Sequence, residues 1–192
     1  IGASERTSWA MIIRLATELL AGGLSQVLVV EMPKQRSSMH LDTVFTMTDR
    51  ASAVVYPPLL ESGGAEEAKV LSLRLVDGHT VVEDIDQHLI KAIAGAGHPL
   101  SAVACGGGHP LHARREQWTD GANYVALGPG VVVGYARNHH TAVAMGEAGF
   151  EVLSPAGYLT ALSADFGGDV DALFESDRRI AIHLVGSELS RG

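Results

Sequence analysis

The chain has 192 residues, 46% of them hydrophobic and 19% charged, with a net charge of −8. That is the composition of a folded globular chain with one sizeable core or two small ones, not of a disordered segment. The acidic balance argues against nucleic acid and anionic membranes as partners, since both need clustered Lys and Arg, and no apolar run approaches the ~18 residues of a membrane-spanning helix.

The first predicted element is a helix in ERTSWAMIIRLATELLAGG, where Thr7 or Ser8 caps the start and Gly22-Gly23 end it. Ile12, Leu15, Ala16, Leu19 and Leu20 make its apolar stripe. A buried strand follows from Gln26 to Glu31, stopped by Pro33. The next stretch reads as a hairpin, with a strand His40–Met47, a turn near Thr48-Asp49-Arg50, and a strand Ser52–Tyr56 ended by Pro57-Pro58. LLESGGAEEA is a polar loop and AKVLSLRLV a strand. VEDIDQHLIKAIAGAG predicts a helix with Ile85, Leu89, Ile90 and Ile93 inward. LSAVACGGG is a short strand running into a glycine turn, and HARREQW a helical turn. A second hairpin spans ANYVALGPGVVVGYARN, reversed by Gly128-Pro129-Gly130. A short helix in HTAVAMGEAG, a strand FEVL, a weak helix around Leu159–Leu162 and a strand RIAIHLVG complete the chain, with FESDRR as a solvated loop before the last strand. Hairpin, helix and strand thus recur, from His40 to Cys105 and again from Tyr124 to Leu153, so the fold class is α/β with repeated ββαβ modules. Modules that each leave one apolar flank must pack side by side, which favours a fan or ring over one flat sheet.

A single cysteine, Cys105, excludes an internal disulfide framework and suits a reducing compartment. The chain opens on Ile1 with no basic-then-apolar signal segment, and it reads as a piece of something longer.

Several groups of residues carry chemistry. In SMHLDTVFT, strand alternation would place His40, Asp42 and Val44 on one face. Two readings stand: a polar pair at an exposed strand mouth, or a buried pair with perturbed proton affinities. A carboxylate beside a histidine can hold a cation while the imidazole moves protons. Arg6, in SERT, is either a solvent-facing residue next to a helix cap or a fork for a substrate carboxylate. CGGGHPLHARREQWTDGAN has two readings, a buried network of Arg115, Glu116 and Asp120 or, as favoured, a structural corner; Cys105 is a nucleophile beside glycines or, more commonly, a small core residue. His109 with His112, and His139 with His140, lack a third ligand at metal-site spacing. Neither glycine cluster is followed by the Lys-Ser/Thr of a phosphate loop.

IGASERT, MHLDTVFTMTDR, REQWTDGANYVALGPGVVVGYARN and GSELSRG, in that order, resemble the arginine deiminase family over nearly the whole chain. The resemblance implies a partial five-bladed α/β propeller, one catalytic domain over residues 1–192 that is incomplete at both ends. It also implies hydrolysis of L-arginine to L-citrulline and ammonia in arginine degradation, in the cytoplasm, with no metal or cofactor. In that chemistry a cysteine thiolate attacks the guanidinium carbon while two carboxylates grip its nitrogens. A histidine then protonates the departing ammonia and activates water. Carried onto this sequence, His40 is the acid/base, Asp42 one gripping carboxylate, Arg6 the partner of the substrate α-carboxylate, and Gly192 a backbone contact to substrate. The family's nucleophile follows SELSRG, and its remaining carboxylates precede IGASERT. The expectation is therefore a fragment carrying about half of the site, inactive alone, paired with copies of itself (a homo-oligomer) or with the missing segments. The alternatives are a degenerate protein, another guanidine-modifying hydrolase or amidinotransferase, and a non-catalytic arginine-binding or assembly module.

Overall fold

A computed structural model describes residues 1–61, 63–64 and 66–184. The chain forms two compact units, Ile1–Val44 with Pro57–Leu100, and Phe45–Tyr56 with the chain from Ser101 onward. The class is mixed α/β, as expected, with three small sheets and seven α-helices among the described residues.

The first unit is built on a sheet of order β1-β2-β5-β6. β1 (Gly2–Ala3) runs parallel to β2 (Val27–Glu31), and β5 (Val70–Val76) and β6 (His79–Ile85) continue antiparallel. Between β1 and β2 lies α1 (Trp9–Ala21), whose Ser8 side chain accepts from the Met11 N–H. Ile12, Ala16 and Leu20 of α1 pack on Val27, Val29, Leu71 and Leu73. Leu15 and Leu19, expected inward, are exposed: the row at positions 12, 16 and 20 meets the sheet, and the row at 15 and 19 lies one ridge to its side.

The largest correction concerns residues 79–85. They form β6, which takes in the first four residues of the helix expected from Val82, and α3 is only Leu89–Gly95. Asp77 and Gly78 both take positive φ (50° and 79°), the geometry of a two-residue hairpin turn that matches strand twist. Thr80, Val81 and Val82 then suit a strand better than a helix. The polar loop after the first hairpin is also partly structured: Leu59 and Leu60 are buried in α2 (Pro57–Leu60).

The second unit holds two sheets. In one, β3 (Phe45–Asp49) and β4 (Ser52–Val55) make a hairpin, with β7 (Ser101–Ala104) parallel to β4. The other has the order β10-β11-β9-β8. There the expected hairpin of β8 (Val125–Gly128) and β9 (Val131–Tyr135) is present, and β11 (Ile180–Leu184) runs parallel to β9. Each sheet is thus a hairpin plus a strand parallel to its second arm. In the second copy that strand is β11; β10 (Glu151–Leu153), the strand expected there, lies outside it. Val54, Val103, Cys105, Val132, Met145, Phe150 and Ala181 form a core shared by the two sheets.

The tail is more helical than expected, with α6 (Pro155–Phe166) and α7 (Val170–Glu175). Ser154 caps α6 and Gly167 ends it in the left-handed region, φ 60°. FESDRR is not a free solvated loop. Arg178 pairs with Glu151 and Asp165, and the Arg179 guanidinium lies 4.0 Å over the Phe150 ring.

Candidate functional site

The segment bearing His40 and Asp42 is a turn rather than the expected start of a strand; β3 begins only at Phe45. His40 is extended (φ −136°, ψ 149°) and Leu41–Thr43 close one 3₁₀ turn. The reason is Thr43, whose N–H and hydroxyl both donate to the His40 carbonyl, at 3.2 and 2.6 Å. This local bonding competes with a ladder hydrogen bond and wins. Val44 is then fully buried and anchors the turn from its far end. Strand alternation therefore does not set the His40 and Asp42 directions. Both side chains are exposed, which favours the exposed reading over the buried one.

On the upstream side, Gln35 fixes the approach. Its carbonyl accepts from the Ser38 N–H at 3.1 Å, and its side-chain amide donates to the Ser38 hydroxyl at 3.3 Å. Ser38 is buried there, so the chain enters the turn from a fixed point.

Arg6 belongs to the same unit. The amino group of Ile1 donates to the Leu28 carbonyl at 2.7 Å and pins β1 beside β2. The chain then turns over Ser4–Thr7, where the Arg6 N–H donates to the Ser4 hydroxyl at 3.1 Å and the Thr7 N–H to the Ser4 carbonyl at 3.3 Å. The Arg6 side chain is exposed, with Glu5 at 3.8 Å. A Cβ on Gly2 would lie 3.1 Å from the Leu41 Cβ, so β1 packs directly against the His40–Thr43 turn. The strand leading into the Arg6 turn and the turn bearing His40 and Asp42 are therefore neighbours. Gly192 lies outside the described residues.

The corner from Cys105 onward is closely bonded within the second unit. α4 (Pro110–Gln117) carries Glu116, which is buried. Its Oε1 accepts from the His140 N–H at 2.8 Å, and its Oε2 accepts from the Thr141 N–H at 2.8 Å and the Thr141 hydroxyl at 2.7 Å. The Thr141 hydroxyl in turn accepts from the Gly106 N–H at 2.8 Å. Glu116 thus caps α5 (His139–Glu147) from another helix, while Asn138, next to the α5 start, bonds Thr119 instead. The corner favoured from the sequence is present, and of the three residues of the alternative buried network only Glu116 is buried: Asp120 pairs with Arg137, and Arg115 is exposed.

Cys105 is fully buried. Burial, with the nearby Glu116 charge, pushes its thiol up to about 12 although Thr141 opposes the shift. At neutral pH it is a thiol in a core, not a nucleophile. We expect iodoacetamide at pH 8 to label Cys105 at least ~100-fold more slowly in the native chain than in urea. Equal rates would show that the corner opens freely.

The structure gathers the segments of the residues expected to act together, Arg6, His40 and Asp42, in the first unit; Cys105, read as a small core residue, lies in the core of the second. One cluster was not foreseen. His109, His112, His139 and His140, read as two separate pairs, form one array of rings. No spacing signal joins α4 to α5 across more than twenty residues.

Comparison with known proteins matches the arginine deiminase family model to residues 1–163. The arginine deiminase of Lactococcus lactis subsp. cremoris (strain MG1363) is 40% identical over 158 residues, covering 79% of this chain and 38% of the relative. That of Bacillus cereus (strain B4264) is 37% identical over 166 residues, covering 80% and 38%. That of Latilactobacillus sakei is 38% identical over 141 residues, covering 72% and 34%. The chain therefore spans less than two-fifths of the length of these relatives. With the family pattern running through the Arg6 turn, the His40–Thr43 turn and the Glu116 corner alike, the chain belongs to the arginine deiminase family.

Proposed function

We propose that this chain supplies part of the arginine-binding cleft of a cytoplasmic arginine deiminase, an enzyme that converts L-arginine to L-citrulline and ammonia. The observation that carries the reading is that the matched residues 1–163 include Arg6, His40 and Asp42, on segments held together by β1 and the 3₁₀ turn. In this reading the three sheets are modules of one α/β-propeller catalytic domain. The recurrence of a hairpin with a strand parallel to its second arm supports it. No helix among the described residues is long and apolar enough to cross a membrane.

The chemistry assigns each residue a task. Guanidinium is a poor electrophile because its charge is delocalised, so it must be held flat and polarised. Asp42 accepts N–H bonds from the guanidinium and Arg6 forks onto the α-carboxylate. A thiolate adds to the guanidinium carbon. The C–N bond to the departing nitrogen breaks, and His40 gives that nitrogen a proton so it leaves as neutral ammonia. His40 then takes a proton from the water that adds to the same carbon, and the C–S bond breaks to release citrulline. The thiolate is not Cys105, the sole cysteine of the 192 residues, because that thiol is buried and shifted up.

Two measurements test this. The 192-residue chain with L-arginine is expected to give no citrulline. In a full-length protein containing the chain, Asp42→Ala is expected to lower citrulline formation by roughly a hundredfold or more, with the melting temperature unchanged. Turnover by the isolated chain that dies with Cys105→Ala would overturn the assignment of the nucleophile. An unaltered rate in Asp42→Ala would remove Asp42 from the site.

A further inference from the structure

α4 and α5 meet beside a groove whose chemistry the deiminase reading does not use. The rings of His112 and His140 stack with centroids 3.6 Å apart and planes 9° from parallel. His109 extends the stack at 4.4 Å from His112, and His139 stands edge-on at 5.7 Å from His140. The groove is lined by these two helices and by Arg115, Thr119 and Arg137, with Glu116 beneath.

Histidines and the guanidinium groups of Arg115 and Arg137 face it, with the carboxylate of Glu116 beneath and that of Asp120 at the rim, both already bonded. Glu116 spends both carboxylate oxygens on His140 and Thr141 of α5. Arg137 is fixed in place: its Nε donates to the Thr119 carbonyl at 3.1 Å and its guanidinium lies 4.7 Å over the Tyr135 ring. Its Nη2 also reaches Asp120, an acidic side chain at the rim, at 3.4 Å. The Arg115 guanidinium has no hydrogen bond or ion pair among the described residues. Among the described residues no three His, Cys, Asp or Glu converge as metal ligands, so the histidines are not arranged around a cation.

We propose that this groove binds a phosphate group, with Arg115 forking onto its oxygens, Arg137 fixed beside it as a second positive charge, and the His112–His140 pair donating from the side. The stacked pair makes binding depend on pH. Desolvation and the neighbouring His140 and His109 hold His112 below its ordinary value, against the pull of Glu116; Arg115 adds to the lowering. A bound dianion relieves that repulsion, so the site takes up protons as it fills.

The test is a titration of the tag-free chain with inorganic phosphate and, separately, with ATP, followed by the histidine ring resonances in NMR. Saturable shifts of His112 and His140 are expected, with several-fold tighter binding at pH 6 than at pH 8 and at least ~10-fold weaker binding in Arg115→Gln. Equal affinity for both titrants points to free phosphate, and clearly tighter ATP to a nucleotide phosphate; both support the site. Identical shifts from sodium chloride at matched ionic strength, or unchanged affinity in Arg115→Gln, would overturn it. Arg115 is exposed, so its loss leaves the fold intact as a control. The proposal does not rest on the deiminase reading: citrulline formation can fail while phosphate still binds, and the reverse.

Discussion

Glu116→Ala is expected to destabilise the chain by about 3–5 kcal/mol, among the largest effects of any single side-chain truncation here. The substitution strips three donors of their acceptor at once: the His140 N–H, the Thr141 N–H and the Thr141 hydroxyl. Two of the three belong to the first turn of α5, where backbone N–H groups have no partner within the helix. Asn138 cannot step in, because its amide is already bonded to Thr119, accepting at 2.6 Å and donating at 3.0 Å. The lost carboxylate also removes a negative charge from the positive end of α5. For a chain of this length the loss corresponds to a drop in melting temperature of about 8–15 °C. Glu116→Gln keeps the shape and one acceptor oxygen but turns an NH₂ toward a donor, and so falls between Ala and wild type. Urea denaturation reads the free energies, and hydrogen exchange reads the local effect as lost protection at His140 and Thr141. A loss under about 1 kcal/mol in Glu116→Ala would show that water replaces the carboxylate without cost.

The same corner shows what a sequence discloses and what it hides. REQWTDGAN proclaims a corner through its glycine and its mixed polar residues, with Glu116 among its candidate bonding residues. The partners of Glu116 are not legible, because it answers to Thr141, twenty-five residues away, rather than to Arg115 beside it. Local signals fared better. The second hairpin, with Gly128-Pro129-Gly130 at its tip, is where turn chemistry puts it. The Asp77-Gly78 turn carried an equally strong signal, and weighing it ahead of the helical spacing in residues 82–93 would have recovered β6. For the candidate site the motif pointed to the right stretch of chain with the wrong backbone. Val44, Phe45 and Thr46 pulled the strand reading back through His40. The hydroxyl of Thr43, bonded to the His40 carbonyl, decides otherwise. A side-chain-to-backbone bond three residues long is within the reach of sequence reasoning, but it competes on nearly equal terms with β-propensity.

Gly106→Ala is the second large expected effect, and it acts on the same corner through the backbone. Gly106 sits at φ 72°, ψ 16°, in the left-handed region. A Cβ there would lie 2.2 Å from the Ala113 nitrogen, 2.4 Å from its Cα and 2.4 Å from the His112 carbonyl carbon. All three atoms are backbone of α4, so no side chain can swing aside; the helix itself must move. That helix carries Glu116 and so holds the start of α5. The backbone conformation alone costs about 1 kcal/mol for a residue with a Cβ, and the clash raises the expected loss to roughly 3 kcal/mol or more. Gly108 provides the internal control. Its φ is 77°, but nothing lies within 4 Å of its added Cβ. Gly108→Ala should therefore show the conformational cost alone, near 1 kcal/mol. Because both act on one packed element, Gly106→Ala and Glu116→Ala together should destabilise less than their sum. Equal losses in Gly106→Ala and Gly108→Ala would mean that α4 yields to the methyl group, and the close approach of the glycine turn to α4 would then not be what fixes this corner.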